Sequence, residues 1–176
     1  RQEHSKQLIK HISIDYTQDW ISTQINQFTE SYKKTPFFSD AIYFLKSLER
    51  IKIKLISELN RKVIRDISDY LNIKTQFEVS WTYSPQGTKT ERIIDIMKKV
   101  GATVYLSGPN ADCYLDKNLF RENHISLEYK SYAYDPYPQP WGDFIGDVTI
   151  LDLIANCGPD ARRFLKSKEK NLVIIP

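Results

Sequence analysis

Four stretches of the sequence hold residue types that could do chemistry. The first, Ser107-Gly108-Pro109-Asn110, follows the compact β-prone run Thr103-Val104-Tyr105-Leu106. Open α/β sheets hold ligands at the carboxyl ends of their strands, and helix N-termini favour anions. Ser107, Gly108 and Asn110 are therefore candidates to hold a phosphate of a nucleotide-linked substrate. The stretch is neither a GxGxxG fingerprint nor a P-loop, and strand-to-helix turns commonly use the same residues. The second stretch is Thr88, Lys89, Thr90, Glu91 and Arg92. Lys89 and Arg92 near a helix start could clamp a phosphate or carboxylate, Arg in a bidentate fork. The plainer alternative is a capped helix with solvated charges, and Asp95, one turn beyond Glu91, is most simply solvated too.

The third stretch is a loop over residues 130–147. The chain has 11 Tyr, 8 Phe and 3 Trp, and Tyr129, Tyr132, Tyr134, Tyr137, Trp141 and Phe144 all fall in or beside this loop. Long loops in compact domains are usually functional or disordered, and this one is too aromatic for disorder. Pro136, Pro138 and Pro140 stiffen it, so Tyr134, Tyr137 and Trp141 are candidates to stack on a sugar or base. The competing reading is that the rings cover a sheet edge as extra core. The fourth stretch is Thr149 to Pro159, where Thr149 can cap a helix with Ile150, Leu151, Leu153 and Ile154 that stops at Gly158. Asp152 in the first helical turn is most simply a capping carboxylate. Cys157 lies at the helix end, where nothing lowers a thiol pKa, and reads as a small buried residue. Cys113 has no better case, and His124, between a helix and a strand, suits a capping role. With no convincing histidine, Asp143 or Asp152 would have to act as general base, with a raised pKa or through water.

Composition narrows the classes. A length of 176 residues fits one domain, and 25 Lys+Arg against 22 Asp+Glu leave a net charge of +3. The basic residues are spread out rather than striped, which ranks nucleic acid last among partners. No apolar run approaches the roughly 20 residues of a membrane span, and the amino terminus has no signal-peptide apolar region. Two cysteines, no CxxC, and His4, His11 and His124 without ligand spacing imply neither a disulfide framework, a metal site nor a cofactor. A reducing cytoplasm is the expected setting. The first residue is Arg rather than Met, as expected of a piece of a longer protein.

The elements that must position these residues fall into two halves. Residues 1–72 read as mainly helical: Trp20, Ile21, Ile25, Phe28 and Tyr32 share one face up to Thr35-Pro36, and Ser39-Asp40 can cap a second helix with Ile42, Leu45 and Leu48. A third carries Leu55, Leu59, Val63, Ile67 and Leu71, its boundary with the second unreadable. Ile12-Ser13-Ile14 looks like a strand end. From residue 73 the pattern becomes strand (Gln76–Trp81), helix (from Thr88-x-x-Glu91 to Gly101), strand (Thr103–Leu106), short helix and strand (Ile125–Tyr129). That order predicts an α/β fold with a parallel βαβαβ unit, then the aromatic loop and two C-terminal helices, the last opened by Pro159. The whole is expected to form a single domain over 1–176.

Several motifs together resemble the WbqC-like family of bacterial proteins. They are Lys89-Thr90-Glu91-Arg92-Ile93-Ile94-Asp95-Ile96; Gly101-Ala102-Thr103-Val104-Tyr105-Leu106-Ser107-Gly108-Pro109-Asn110-Ala111; and Tyr137-Pro138-Gln139-Pro140-Trp141-Gly142-Asp143-Phe144 with Leu151-Asp152-Leu153-Ile154-Ala155-Asn156-Cys157-Gly158-Pro159. Trp20 through Phe38 is similar to the family's first helical region, so the resemblance runs in order along nearly the whole chain. It implies a role around nucleotide-linked sugars in bacterial surface-polysaccharide and O-antigen synthesis. The family's usual amino-terminal Gln-Pro…Tyr-Phe-Pro segment has no counterpart here, so no catalytic group it contains transfers to these positions. The enzyme reading is a transferase that attaches an acyl or aminoacyl group to a nucleotide-linked amino sugar. The alternative is a non-catalytic module that binds a glycan or protein through the aromatic loop.

Overall fold

The computed structural model describes residues 7–176, so His4 and the rest of the Arg1–His4 terminus lie outside the described residues. The chain forms two compact units: one takes in residues up to Thr75 together with Asp135–Lys166, the other Gln76–Tyr134 together with Ser167–Pro176. The division falls close to the 72/73 change of pattern in the sequence, and it cuts the aromatic loop between Tyr134 and Asp135.

The first unit is helical. α1 (Trp20–Tyr32) starts where Asp19 accepts the Ser22 amide at 3.2 Å, satisfying one of the free donors of a first turn. Its Ile21, Ile25 and Phe28 recur at helical spacing and are buried. α2 (Phe38–Glu49) begins ahead of the Ser39-Asp40 pair expected to cap it, and buries Ala41, Ile42, Phe44 and Leu48. α3 (Ile56–Tyr70) follows after six residues, and Ile12-Ser13-Ile14 contributes only an isolated bridge from Ser13 to Leu55. α6 (Ile150–Cys157) brings Leu153, Ile154, Ala155 and Cys157 into the same core as α1 and α2. The Phe37 amide donates to the Ala155 carbonyl at 3.0 Å, fixing the start of α2 against α6. Gly158 then stops α6 in a backbone conformation of φ +55°, ψ −134° that side chains rarely adopt. The expected last helix is a 3-10 helix, Gly158–Leu165.

The second unit is the α/β part. α4 (Lys89–Val100) opens on a formed capping box, the Thr88 amide donating to Glu91 Oε2 at 3.2 Å, and closes on Gly101 at φ +66°. β1 (Val104–Ser107) pairs in parallel with β2 (Ser126–Tyr129), and α5 (Lys117–Glu122) lies in the connection. His124, just after α5, adopts the left-handed conformation at φ +53° and donates its amide to Arg121 O, the capping role its position suggests. The third strand of the sheet, however, is β3 (Leu172–Ile175), antiparallel to β2. Gln76–Trp81, expected as the first strand, forms no ladder among the described residues and ends in a 3-10 turn over Ser80–Tyr83. Its Phe77 and Val79 are only half-buried, so the alternation there has no core face to serve. Phe120, Leu127, Tyr129 and Ile175 pack with Ile94 and Met97 on the inner side of the sheet. Among the described residues no helix is long and apolar enough to cross a membrane.

Candidate functional site

Asp152 is only 5% exposed, although it carries a carboxylate. Burying a charge is costly unless donors surround it, and here the loop 137–145 supplies them. The Tyr137 hydroxyl donates to Oδ1 at 2.6 Å and Gln139 Nε2 at 2.9 Å. Tyr32 of α1 is a further partner: burial, then its hydrogen bond to Asp152, push its phenol up to about 12. Burial and the same carboxylate raise the Tyr137 phenol above its ordinary value, and burial raises the Cys157 thiol. Thr149 caps α6 with its side chain as expected, accepting the Leu151 amide, and Asp152 takes no part in the cap. The expected capping carboxylate is thus an anchor for the loop.

Gln139 has a second task. Its amide donates to the Ile145 carbonyl at 3.0 Å and accepts from the Ile145 amide at 2.9 Å, closing residues 139–145 into a ring. Phe144 packs edge-on against Tyr137, ring centroids 5.0 Å apart. Trp141 stands on that ring, its indole N–H reaching the Ser31 carbonyl at 3.3 Å while 63% of the residue is exposed. The indole is therefore oriented by a hydrogen bond and open to solvent. Asp143 is exposed on the same ring.

The remaining sequence candidates lie in the second unit, where most are engaged. Thr90 is 4% exposed, and its Oγ1 accepts the Asp116 amide at 3.0 Å, tying α4 to the start of α5. Thr88 and Glu91 form the capping box, and Arg92 donates to the Pro85 carbonyl at 3.2 Å. Lys89 is exposed, at φ +45°. Ser107 ends β1, its carbonyl accepting the Lys130 amide. Gly108 and Asn110 lie at a five-residue 3-10 turn, Pro109–Cys113, and the Tyr132 hydroxyl comes to 3.4 Å of where a Gly108 Cβ would stand. Tyr134 is half-buried, edge-on to Tyr132, with Lys130 Nζ 5.7 Å from its ring centre. Tyr137 and Trp141 belong to the first unit, with Asp143 and Asp152.

The first unit also holds a groove of about 800 Å³ between α2 and α3 that the candidates read from the sequence do not include. Along α2 and its C-cap, Tyr43, Lys46 and Arg50 follow one another at spacings of three and four, so they share a face. On α3, Lys62, Asp66 and Asp69 do the same, and Tyr70 lies four residues on from Asp66. Tyr70, the last residue of α3, closes one end by donating to Asp40 Oδ2 at 2.6 Å, and its ring meets Phe44 edge-on at 5.6 Å. The aromatic and cationic spacing of Tyr43-Lys46-Arg50 is present in the sequence, but it is the pattern of any solvated helix face.

Comparison with known proteins agrees with the motifs. The model of the WbqC-like protein family matches residues 1–164. An uncharacterized Mycobacterium tuberculosis protein, Rv1507c, is 35% identical over 163 residues, covering 91% of this chain and 70% of the relative. No solved structure matches the chain. The match over most of its length, with the relative's identity, establishes that the chain belongs to the WbqC-like protein family.

Proposed function

We propose that this protein acts on a nucleotide-linked amino sugar in the cytoplasm, as a transferase-like enzyme of bacterial surface-polysaccharide synthesis. The observation that supports the reading best is Trp141: its ring is open to solvent, its N–H is fixed to Ser31, and its loop is anchored through Gln139 and Tyr137 to buried Asp152. A rigidly held, exposed indole costs little ordering entropy when a sugar ring stacks on it. Functional residues concentrate on loops held by a scaffold, and this loop carries one of the motifs that resemble the family. Thermal melting with a panel of nucleotide sugars tests the proposal. A rise in melting temperature with one sugar nucleotide, lost in Trp141→Ala, is expected; no shift with any of them overturns it.

A second reading has an observation of its own. Asp152, the buried carboxylate best placed for general-base work, already accepts from Tyr137 and Gln139, and Asp143 is solvated. That arrangement suits a non-catalytic glycan- or protein-binding module equally well. Mass spectrometry of the sugar nucleotide after incubation with acyl donors separates the two: transfer of mass marks an enzyme, and binding without transfer marks a module.

A further inference from the structure

We infer that the α2–α3 groove binds a nucleoside diphosphate, with the base against Tyr43 and the phosphates on Lys46 and Arg50. The inference takes from the proposed function only that the ligand is nucleotide-linked, and it goes beyond it by placing the nucleotide end where none of the sequence candidates lies. Three features of the groove carry it. Tyr43 is 62% exposed on the groove wall, a large aromatic face left to water at the surface. Lys46 of α2 and Arg50 at its C-cap, one turn apart on the same stripe, have no ion-pair partner among the described residues, whereas Lys62 across the groove is paired with Asp66. Arg and Lys side by side suit a diphosphate, one as a planar fork and the other as a point charge. Asp69, exposed on α3 and without an ion-pair partner among the described residues, can accept from sugar hydroxyls on the facing wall.

Other occupants fit less of this lining. A neutral glycan leaves the two free cations without a partner. A polyanion such as nucleic acid meets Asp66 and Asp69 on the opposite wall. A nucleoside diphosphate has an aromatic base, a compact double negative charge and hydroxyls, one chemistry for each part of the groove. The volume of about 800 Å³ lies within the range of small-molecule sites.

Titration calorimetry of the full chain with uridine, guanosine and thymidine diphosphates and with inorganic pyrophosphate tests the site. At least one nucleoside diphosphate should bind, and Lys46→Ala/Arg50→Ala should weaken it by about tenfold or more, the loss expected from charge-assisted contacts. Tyr43→Ala should weaken the nucleotide several-fold and leave pyrophosphate unchanged. All three positions are exposed, and a melting temperature within a few degrees of the parent verifies folding of each variant. Lys89→Ala, in the second unit, is the rival site. Nucleotide binding that survives the α2 variants, whether or not Lys89→Ala removes it, overturns the groove and leaves the proposed function standing. No binding of these nucleoside diphosphates at millimolar concentration also overturns the groove, while the melting shift with nucleotide sugars decides the proposed function separately.

Discussion

The hydroxyl of Tyr137 lies 2.6 Å from Oδ1 of Asp152 and donates to it, joining the proline-rich loop to the buried first turn of α6. Removing either partner leaves the other without its match at a largely buried site. Tyr137→Phe should lower stability by about 1.5–3 kcal/mol, the value of a hydrogen bond to a charged group. Gln139→Glu should do comparable damage, because it removes the donor to Asp152 and to Ile145 O and adds a second negative charge. Both are read by chemical denaturation. If neither moves the midpoint, the anchor is not energetically significant.

Alkaline pH should act on the same cluster. The folded pKa of Tyr32 is raised from near 10 to about 12, so the fold favours its neutral form. That contribution is fully present below pH 10 and is lost as pH rises through about 12. Tyr137 and Tyr70 are raised in the same direction, chiefly by burial, then by Asp152 and Asp40. Phenolate absorbance should therefore show a group of tyrosines that ionise late, and Tyr32→Phe should remove part of that late rise. A single transition near pH 10 for all tyrosines of the folded protein would contradict the burial of these phenols.

Gly158 is held by two constraints at once. Its backbone sits at φ +55°, and a Cβ there would overlap Cδ1 and Cγ of the Phe37 ring. Gly158→Ala should cost about 1–3 kcal/mol in backbone strain, with the contact adding to it. In a Phe37→Ala background the contact is gone, so the same substitution should cost less, leaving the strain alone. Equal costs in the two backgrounds would show that the ring simply moves aside.

The two cysteines should differ sharply toward thiol reagents. Cys113 is exposed, whereas Cys157 is buried with its thiol pushed up by burial and by Asp152 and Asp160. Reactivity follows thiolate fraction and access. One thiol per chain should be labelled in the native protein, and the second only on unfolding, which mass spectrometry of the modified peptides can assign.

Thr90 offers a test inside the second unit. Its hydroxyl is the acceptor for the Asp116 amide. Thr90→Val leaves that amide without a partner and should destabilise by about 1–3 kcal/mol, while Thr90→Ser should be far milder. Equal effects of the two would point to the methyl group rather than the hydrogen bond.

Much of the architecture is legible before folding. The helical first half, the Thr88–Glu91 capping box, the Gly101 and Gly158 stops and the β1–α5–β2 crossover all follow from local pattern, because each depends on residues within one or two turns. What fails depends on distant partners. Gln76–Trp81 has the period of a strand but finds no neighbour, and Leu172–Ile175, too short to signal itself, takes the third place in the sheet. Asp152 looks like a cap because its position in the first turn is local information; that Tyr137 and Gln139 converge on it is not. The α2–α3 groove escapes for the same reason, since Lys46 and Arg50 acquire meaning only opposite α3.

The interleaving of the two units has a consequence for synthesis on the ribosome. α2 emerges about a hundred residues before α6, whose Ile154 and Ala155 complete the core that α2 enters. At typical elongation rates the apolar face of α2 waits roughly 5–20 s for its partner. β2 likewise stays open along one edge until Leu172–Ile175, more than forty residues further on, arrive. Over those intervals the nascent chain carries one unpacked apolar helix face and one unpaired strand edge. Chaperone demand during expression should depend on those intervals more than on the stability of the finished fold.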